Sequence, residues 1–151
     1  MIALQFKIEG EDKLKKQFSA LGDRVQKKIL IRSLKKCSKP LEQRMKDLAS
    51  VSRTGGVSKQ YPSRNHPPGY LRASVGTIVG RGNEFPAVWV RPRFRGAWDP
   101  WYEHFPMAGT KHMTISPNPF VDKAWDEMGA ITQAMLQSDL IQNIQDEINR
   151  I

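Results

Sequence analysis

Residues Pro100–Trp125 read PWYEHFPMAGTKHMTISPNPFVDKAW, and they join an aromatic, turn-rich segment to the start of a helix. Asn118 can accept a hydrogen bond from a free first-turn N–H, and Pro119 suits the first helical position because its missing N–H has no partner there. Negative charge stabilises the positive end of a helix dipole. Three acidic side chains place such charge here: Asp122, Asp126 and Glu127. We therefore predict that the final helix begins at this point.

The residues that follow have the spacing of an amphipathic helix. Apolar side chains recur at three- and four-residue steps, which predicts a buried stripe. Its members are Phe120, Ala124, Met128, Ile131 and Met135, with a continuation over residues 140–148. Ser138 can cap a separate helix within the tail 138–151. We expect this tail to pack on the protein's own sheet or on an adjacent subunit.

Two segments upstream predict a β-hairpin. Residues 71–79 alternate in polarity, and residues 85–94 are rich in β-branched and aromatic types. Trp89 is expected in the core or at an interface, and residues 111–115 can add a third strand. A row of arginines at period two can bind phosphates or carboxylates, or form an exposed, protected edge. The row consists of Arg91, Arg93 and Arg95.

The N-terminal third predicts one strand and two helices. Residues 2–8 alternate in polarity, as half-buried strands do. Residues 14–48 carry an apolar stripe at helical spacing, with lysine and arginine on the opposite face. Gly22-Asp23 should separate a short first helix from a longer second helix that Asp23 caps. Pro40 should kink or interrupt the second helix because it lacks a backbone donor.

Residues 50–69, SVSRTGGVSKQYPSRNHPPG, predict a long flexible loop because they have no periodic apolar pattern. Connections of this length inside a compact domain are usually functional or disordered. Three of its cationic residues, Arg53, Lys59 and Arg64, can lie along a phosphate backbone or dock on a partner protein. A solvated, mobile loop is the alternative. We expect the loop to become ordered only on assembly.

Charge is distributed unevenly along the chain. The 151 residues carry a net charge of +9 and are sufficient for one domain with its own core. Residues 10–50 hold twelve basic and five acidic groups, whereas residues 112–151 hold two basic and six acidic groups. Such polarity suits a nucleic-acid binder. It equally suits a ring in which the acidic helix of one copy meets the basic second helix of the next.

The sequence predicts neither a membrane protein nor a secreted one. No apolar run approaches the roughly 20 residues that span a bilayer, and the N-terminus lacks the pattern of a signal peptide. Cys37 is the only cysteine and lies within an apolar helical stripe. We therefore expect a small core residue in a protein that folds in a reducing cytosol.

The sequence contains no pattern typical of an active site. Three histidines, His66, His104 and His112, lie in predicted loops without the spacing of zinc ligands. HExxH, Walker and GxSxG motifs do not occur. Glu103 is the carboxylate of most interest, because the arginine row can pair with it structurally. We therefore expect no enzymatic activity, no cofactor and no metal.

These patterns together predict an α+β fold in a single domain, residues 1–151. A small, mostly antiparallel sheet of three or four strands should be packed by a long basic N-terminal helix and by the C-terminal amphipathic helix. The long basic loop lies between the helical and sheet portions.

The sequence also resembles the tail-completion family of long-tailed bacteriophages, small proteins that join head and tail during virion assembly. The matching residues in the C-terminal half are Tyr102-Glu103, Gly109-Thr110, Pro117, Pro119-Phe120 and Ala124. Those upstream are Pro67-Pro68-Gly69, Leu71-Arg72 and Ser74. Two features depart from the family pattern: Phe105–Ala108 widens the gap between the acidic residue and Gly-Thr, and Tyr70 alters the upstream spacing.

The resemblance implies a structural virion protein that completes the tail or joins it to the head. Such a protein is made in the host bacterial cytoplasm and forms a ring, hexameric in our expectation, around the DNA channel. Its implied partners are further copies of itself, tail-tube proteins, head–tail connector proteins and genomic DNA contacted nonspecifically. The alternative is a small basic nucleic-acid-binding module without catalysis, in which Arg91, Arg93, Arg95 and the loop contact phosphates.

Overall fold

The structure, a computed structural model, describes residues 11–51, 67–80, 86–93, 107–109 and 116–150. It combines helices with a two-stranded antiparallel sheet. Its longer elements are, in chain order, α1 (Glu11–Ser19), α2 (Asp23–Cys37), α3 (Lys39–Leu48), α4 (Tyr70–Ser74), β1 (Val75–Val79), β2 (Val88–Pro92) and α5 (Phe120–Ile148). The predicted mixture of helix and sheet is confirmed.

The boundary between α1 and α2 lies where the sequence predicts it, but its cap differs. Gly22 occupies the N-cap position with an extended backbone and no side-chain hydrogen bond, while Asp23 is already the first residue of α2. The prediction that Asp23 caps the helix is therefore wrong. Its carboxylate still lies in the first turn, where the helix dipole favours negative charge.

Pro40 divides the long basic helix as predicted. The second helix ends at Cys37, and α3 begins at Lys39 with the proline in its first turn. A proline is tolerated there because the N–H that it lacks would have had no helical partner. Cys37 is buried, which confirms its assignment as a core residue.

The first half of the predicted strand 71–79 is helical instead. Gly69 adopts a left-handed backbone with φ of 77° and precedes the short helix α4. The chain becomes extended only at Val75. Leu71 and Val75 lie in the same core cluster, as four-residue spacing requires of a helix or a strand, whereas Ala73, which strand alternation would place with them, is exposed.

Strands β1 and β2 form the predicted antiparallel hairpin, with Val75 opposite Pro92 and Val79 opposite Val88. Two of the three or four predicted strands are thus observed. The other candidate strands, residues 2–8 and 111–115, lie outside the described residues. So does most of the predicted loop 50–69.

The final helix begins one residue later than predicted, with Pro119 at the N-cap and Phe120 as its first residue. Asn118 does not cap it through its side chain. Instead, its Nδ2 donates to the Leu48 carbonyl at 2.9 Å and to Ser50 Oγ at 3.0 Å, which ties the start of α5 to the end of α3.

The helix α5 continues through Ser138 to Ile148 without a separate terminal helix. Its predicted apolar stripe is confirmed at Phe120 and Ala124, but Ile131 is 50% exposed and Met135 is also exposed. The buried positions further along are Gly129, Leu136 and Ile144. A helix of this length rotates its buried face as it crosses successive partners.

Two apolar clusters hold the elements together. The larger one joins α3, α4, β1 and the start of α5 through Leu41, Met45, Ala49, Leu71, Val75, Phe120 and Ala124. The smaller one joins Leu21, Ile29 and Ile144. Among the described residues, the C-terminal part of α5 therefore packs on the N-terminal helices and not on β1 or β2. Packing of the tail on an adjacent subunit stays a prediction.

Candidate functional site

The outer face of the β-hairpin carries tryptophan and arginine side chains. Strand alternation places Val75 and Pro92 on the face toward the core, where both are buried. The opposite face presents Ile78 paired with Trp89, and Gly76 paired with Arg91. We call Gly76, Ile78, Trp89, Arg91 and Arg93 the hairpin face.

Trp89 is 46% exposed, which rules out the core; its alternative place, at an interface, stays a prediction. The signal that could have located it is parity, because positions 89, 91 and 93 share one face of an extended strand. An aromatic ring therefore lies within the arginine row. The sequence alone instead draws attention to the aromatic residues after Pro100.

The Arg93 side chain lies over Gly76, which leaves room for it because glycine has no side chain. A Cβ atom added to Gly76 would lie 2.5 Å from Arg93 Nε, so the arginine side chain occupies the space above the glycine. The Arg93 backbone N–H donates to the Ser74 carbonyl at 2.9 Å. Its Nε is buried and has no hydrogen-bond partner among the described residues.

The acidic residues at the start of α5 differ in their surroundings. Arg44 Nε donates to Glu127 Oε2. This hydrogen bond is the main reason that the pKa of Glu127 lies below its ordinary value. Asp122 and Asp126 are exposed, and no ion pair joins either to another residue in the described ranges.

A second ion pair joins α5 to α2. Lys36 Nζ donates to Asp139 Oδ1, and Asn143 Nδ2 donates to Asp139 Oδ2 at 2.7 Å and to the buried Ser33 Oγ at 3.0 Å. Burial alone would raise the pKa of Asp139, but hydrogen bonds from Lys36 and Ser33 outweigh it, and the pKa is lowered.

Acidic and basic helices thus meet within a single chain at these two pairs. The predicted contact between the acidic helix of one copy and the basic second helix of another stays a prediction. Glu127, however, already has a partner in its own chain.

A buried polar cluster between α3 and β1 was not anticipated. Glu42 accepts hydrogen bonds from Lys46 Nζ at 2.6 Å and from Thr77 Oγ1 at 2.6 Å. Ser38 Oγ lies 3.3 Å from Thr77 Oγ1. The spacing of Ser38, Glu42 and Lys46 at successive four-residue steps was the available signal, since such residues share a helix face.

Several candidate residues cannot be placed. Arg53, Lys59, Arg64 and Arg95 lie outside the described residues, as do Glu103 and the three histidines. Within the described ranges, no group of three His, Cys, Asp or Glu side chains is arranged to hold a metal ion. In the same ranges, no helix is long and apolar enough to cross a membrane.

In comparisons with known proteins, no family model, no curated protein and no solved structure matched the chain.

Proposed function

We propose that the chain is a structural virion protein of a long-tailed phage that completes the tail end or joins head to tail. In this role it is one subunit of an oligomeric ring around the DNA channel. Its neighbours are further copies, tail-tube proteins and head–tail connector proteins.

One observation supports this proposal above the others. The Pro119-Phe120 and Ala124 motif, which carries part of the family resemblance, supplies the packing centre of the larger cluster. Phe120 and Ala124 both have 0% exposure. These residues of the resemblance are therefore core positions, which is compatible with a fold shared with that family.

The surface chemistry is compatible with a ring subunit. Exposed cations on α2, such as Lys27, Lys28 and Arg32, face solvent and suit nonspecific contact with DNA phosphates. The exposed Asp122 and Asp126 supply charge of the opposite sign for a neighbouring subunit. Both signs of charge are thus available on one small molecule.

Electron microscopy of the purified protein, alone and mixed with the tail-tube and connector proteins of the same phage, tests the proposal. We expect annular particles, or attachment of the protein to one end of assembled tail tubes. Particles that neither close into rings nor bind tubes or connectors would contradict it.

The hairpin face favours a second candidate function, a nucleic-acid-binding module. Trp89 lies on the same face as Arg91 and Arg93, and stacking on an aromatic ring beside cationic side chains is a common mode of single-strand binding. This candidate predicts an affinity for DNA that falls steeply with salt, because each neutralised phosphate releases counterions. Weak binding with little salt dependence would exclude it.

A further inference from the structure

The hairpin face combines exposed apolar surface with unpaired positive charge. Trp89 is 46% exposed, and Ile78, its partner across the hairpin, is half-buried. Neither Arg91 nor Arg93 forms an ion pair with a described residue. Tryptophan and arginine are the residue types most enriched at the centres of protein interfaces.

The Arg93 side chain is restricted by its surroundings. Its side chain lies over Gly76, and its Nε is buried, so the guanidinium has lost much of its freedom before any partner arrives. Side-chain ordering is a substantial cost of association, and an arginine that is already fixed avoids most of it.

The same chain presents a matching pair of carboxylates. Asp122 and Asp126 are exposed on α5 and are four residues apart, which puts them on neighbouring turns of one side. Glu127 is excluded from this pair because Arg44 already holds it. The first turns of α5 therefore display exposed negative charge that is not paired within the described residues.

The spacing of the two charged pairs agrees. Cβ atoms two residues apart on a strand are separated by about 7 Å, and Cβ atoms four residues apart on a helix by about 6 Å. The two arginines and the two aspartates thus have attachment points at similar spacing, and arginine binds carboxylates with good geometry. We propose that the hairpin face of one copy binds Asp122 and Asp126 of a second copy.

This contact rests on the proposed function, since it supplies the lateral contact of the ring. It is heterologous, because the two surfaces that meet are different parts of the same chain. Each copy retains one unused surface of each kind after one contact forms. Repetition of the contact therefore builds a ring or an open filament, depending on the rotation between copies.

Charge reversal of each surface separately, followed by mixing, provides the test. In the variant Arg91→Glu/Arg93→Glu, both surfaces of the contact are acidic and repel each other. In the variant Asp122→Lys/Asp126→Lys, both surfaces are basic. By size-exclusion chromatography with light scattering, we expect each variant alone to associate about 100-fold more weakly than the wild type. Mixed in equal amounts, the two variants should associate again, because each then offers a complementary surface to the other.

Matched controls reverse the same number of charges elsewhere. Asp12→Lys/Asp23→Lys changes two exposed acids near the starts of α1 and α2, and Lys16→Glu/Arg150→Glu changes two exposed cations, in the last turn of α1 and just after α5. Both controls should assemble as the wild type does. Circular dichroism checks that all variants fold. A further variant, Trp89→Ala, should weaken the contact without changing the charge.

The outcomes separate the contact from the ring itself. If the wild type assembles and both reversed variants also assemble alone, the contact is wrong and the proposed ring stands. If the wild type is monomeric at every concentration, both alone and with tail-tube and connector proteins added, both are wrong. If Arg91→Glu/Arg93→Glu abolishes DNA binding while the oligomer mass is unchanged, the hairpin face binds nucleic acid and the contact is wrong.

Discussion

Glu42 is buried on α3, with 8% of its surface exposed, and depends on neighbouring donors. Burial alone would raise the pKa of its carboxyl. Hydrogen bonds from Lys46 and Thr77 outweigh that effect and lower the pKa below its ordinary value of 4.5. The ionised form is therefore favoured in the folded state, and the cluster ties α3 to β1.

Substitution Glu42→Gln should reduce the free energy of unfolding at neutral pH by about 1.5–3 kcal/mol, the usual value of hydrogen bonds to a charged group. Because the folded pKa is lowered, the stability that Glu42 contributes is present above pH 4.5. It is lost as the pH falls below that value through the folded pKa. Urea denaturation over this range should show a smaller loss in the variant.

The exposed Asp47 on the same helix gives a matched control. Asp47→Asn should change the free energy of unfolding by less than about 0.5 kcal/mol, as is usual for surface positions. Equal effects of the two substitutions would show that the Glu42 cluster adds nothing to stability.

Gly129 is a buried glycine within α5, and the Trp125 side chain occupies the space beside it. A Cβ atom at this position would lie 2.9 Å from Trp125 Cε2. Alanine gains up to about 1 kcal/mol in helix propensity, whereas overpacking costs about 1–3 kcal/mol. We therefore expect Gly129→Ala to lower the free energy of unfolding and the melting temperature.

The destabilising effect of Gly129→Ala should disappear when the indole ring of Trp125 is removed. In a Trp125→Leu background, Gly129→Ala should be neutral or stabilising, since the obstructing atoms are gone. A thermal-melting cycle over the four proteins measures this coupling. Strictly additive effects would mean that Trp125 is not the obstacle.

At single positions, the sequence was informative where one physical rule dominates. Cys37 and Phe120 were predicted correctly because apolar residues in a helical stripe are usually buried. The core and the interface remained open for Trp89, although strand parity already puts it on one face with Arg91. Four-residue spacing could have indicated Lys46 as a partner of Glu42, but not Thr77, which lies on a distant element that only the tertiary fold brings near.

Two ion pairs that connect α5 to the basic helices should differ in strength because their burial differs. The Asp139 side chain is 9% exposed, whereas that of Glu127 is 46% exposed. Solvent screens the exposed pair, so Glu127→Ala should cost the smaller amount of unfolding free energy. Asp139→Ala should cost about 1–3 kcal/mol, because it leaves buried polar groups without a partner.

Chemical denaturation of both variants, with Lys36→Ala and Arg44→Ala for double-mutant cycles, measures the two couplings. The larger coupling is expected between Lys36 and Asp139. A larger coupling at Arg44 and Glu127 would contradict the role assigned to burial.

At the level of elements, helix boundaries could be predicted from the sequence, whereas packing between distant elements could not. Pro40 and Gly22 mark helix boundaries through backbone chemistry that needs no tertiary context. The helical turn after Gly69 and the rotation of the buried face of α5 depend on which neighbours are present. Ile131 fits a helical stripe but lies away from both apolar clusters.

Some of the acidic and basic side chains of the molecule form ion pairs within the chain, as Glu127 and Asp139 do. Other charged side chains are exposed and available to neighbouring molecules. Since the proposed contact between copies is made by exposed charges, its dissociation constant should rise with salt. Sedimentation at low and high salt should show smaller assemblies at high salt for the wild type. Assembly that is indifferent to salt would favour a contact dominated by apolar surface such as Trp89.

The mass of the purified protein in solution, measured by light scattering over a dilution series, tests the ring most directly. We predict a defined closed oligomer, hexameric in our expectation, that is several times heavier than the 17.2 kDa monomer. Assembly only after a tail-tube or connector protein is added would also agree with the proposed role. A monomer at every concentration, with or without those proteins and with tight, salt-sensitive DNA binding, would contradict it.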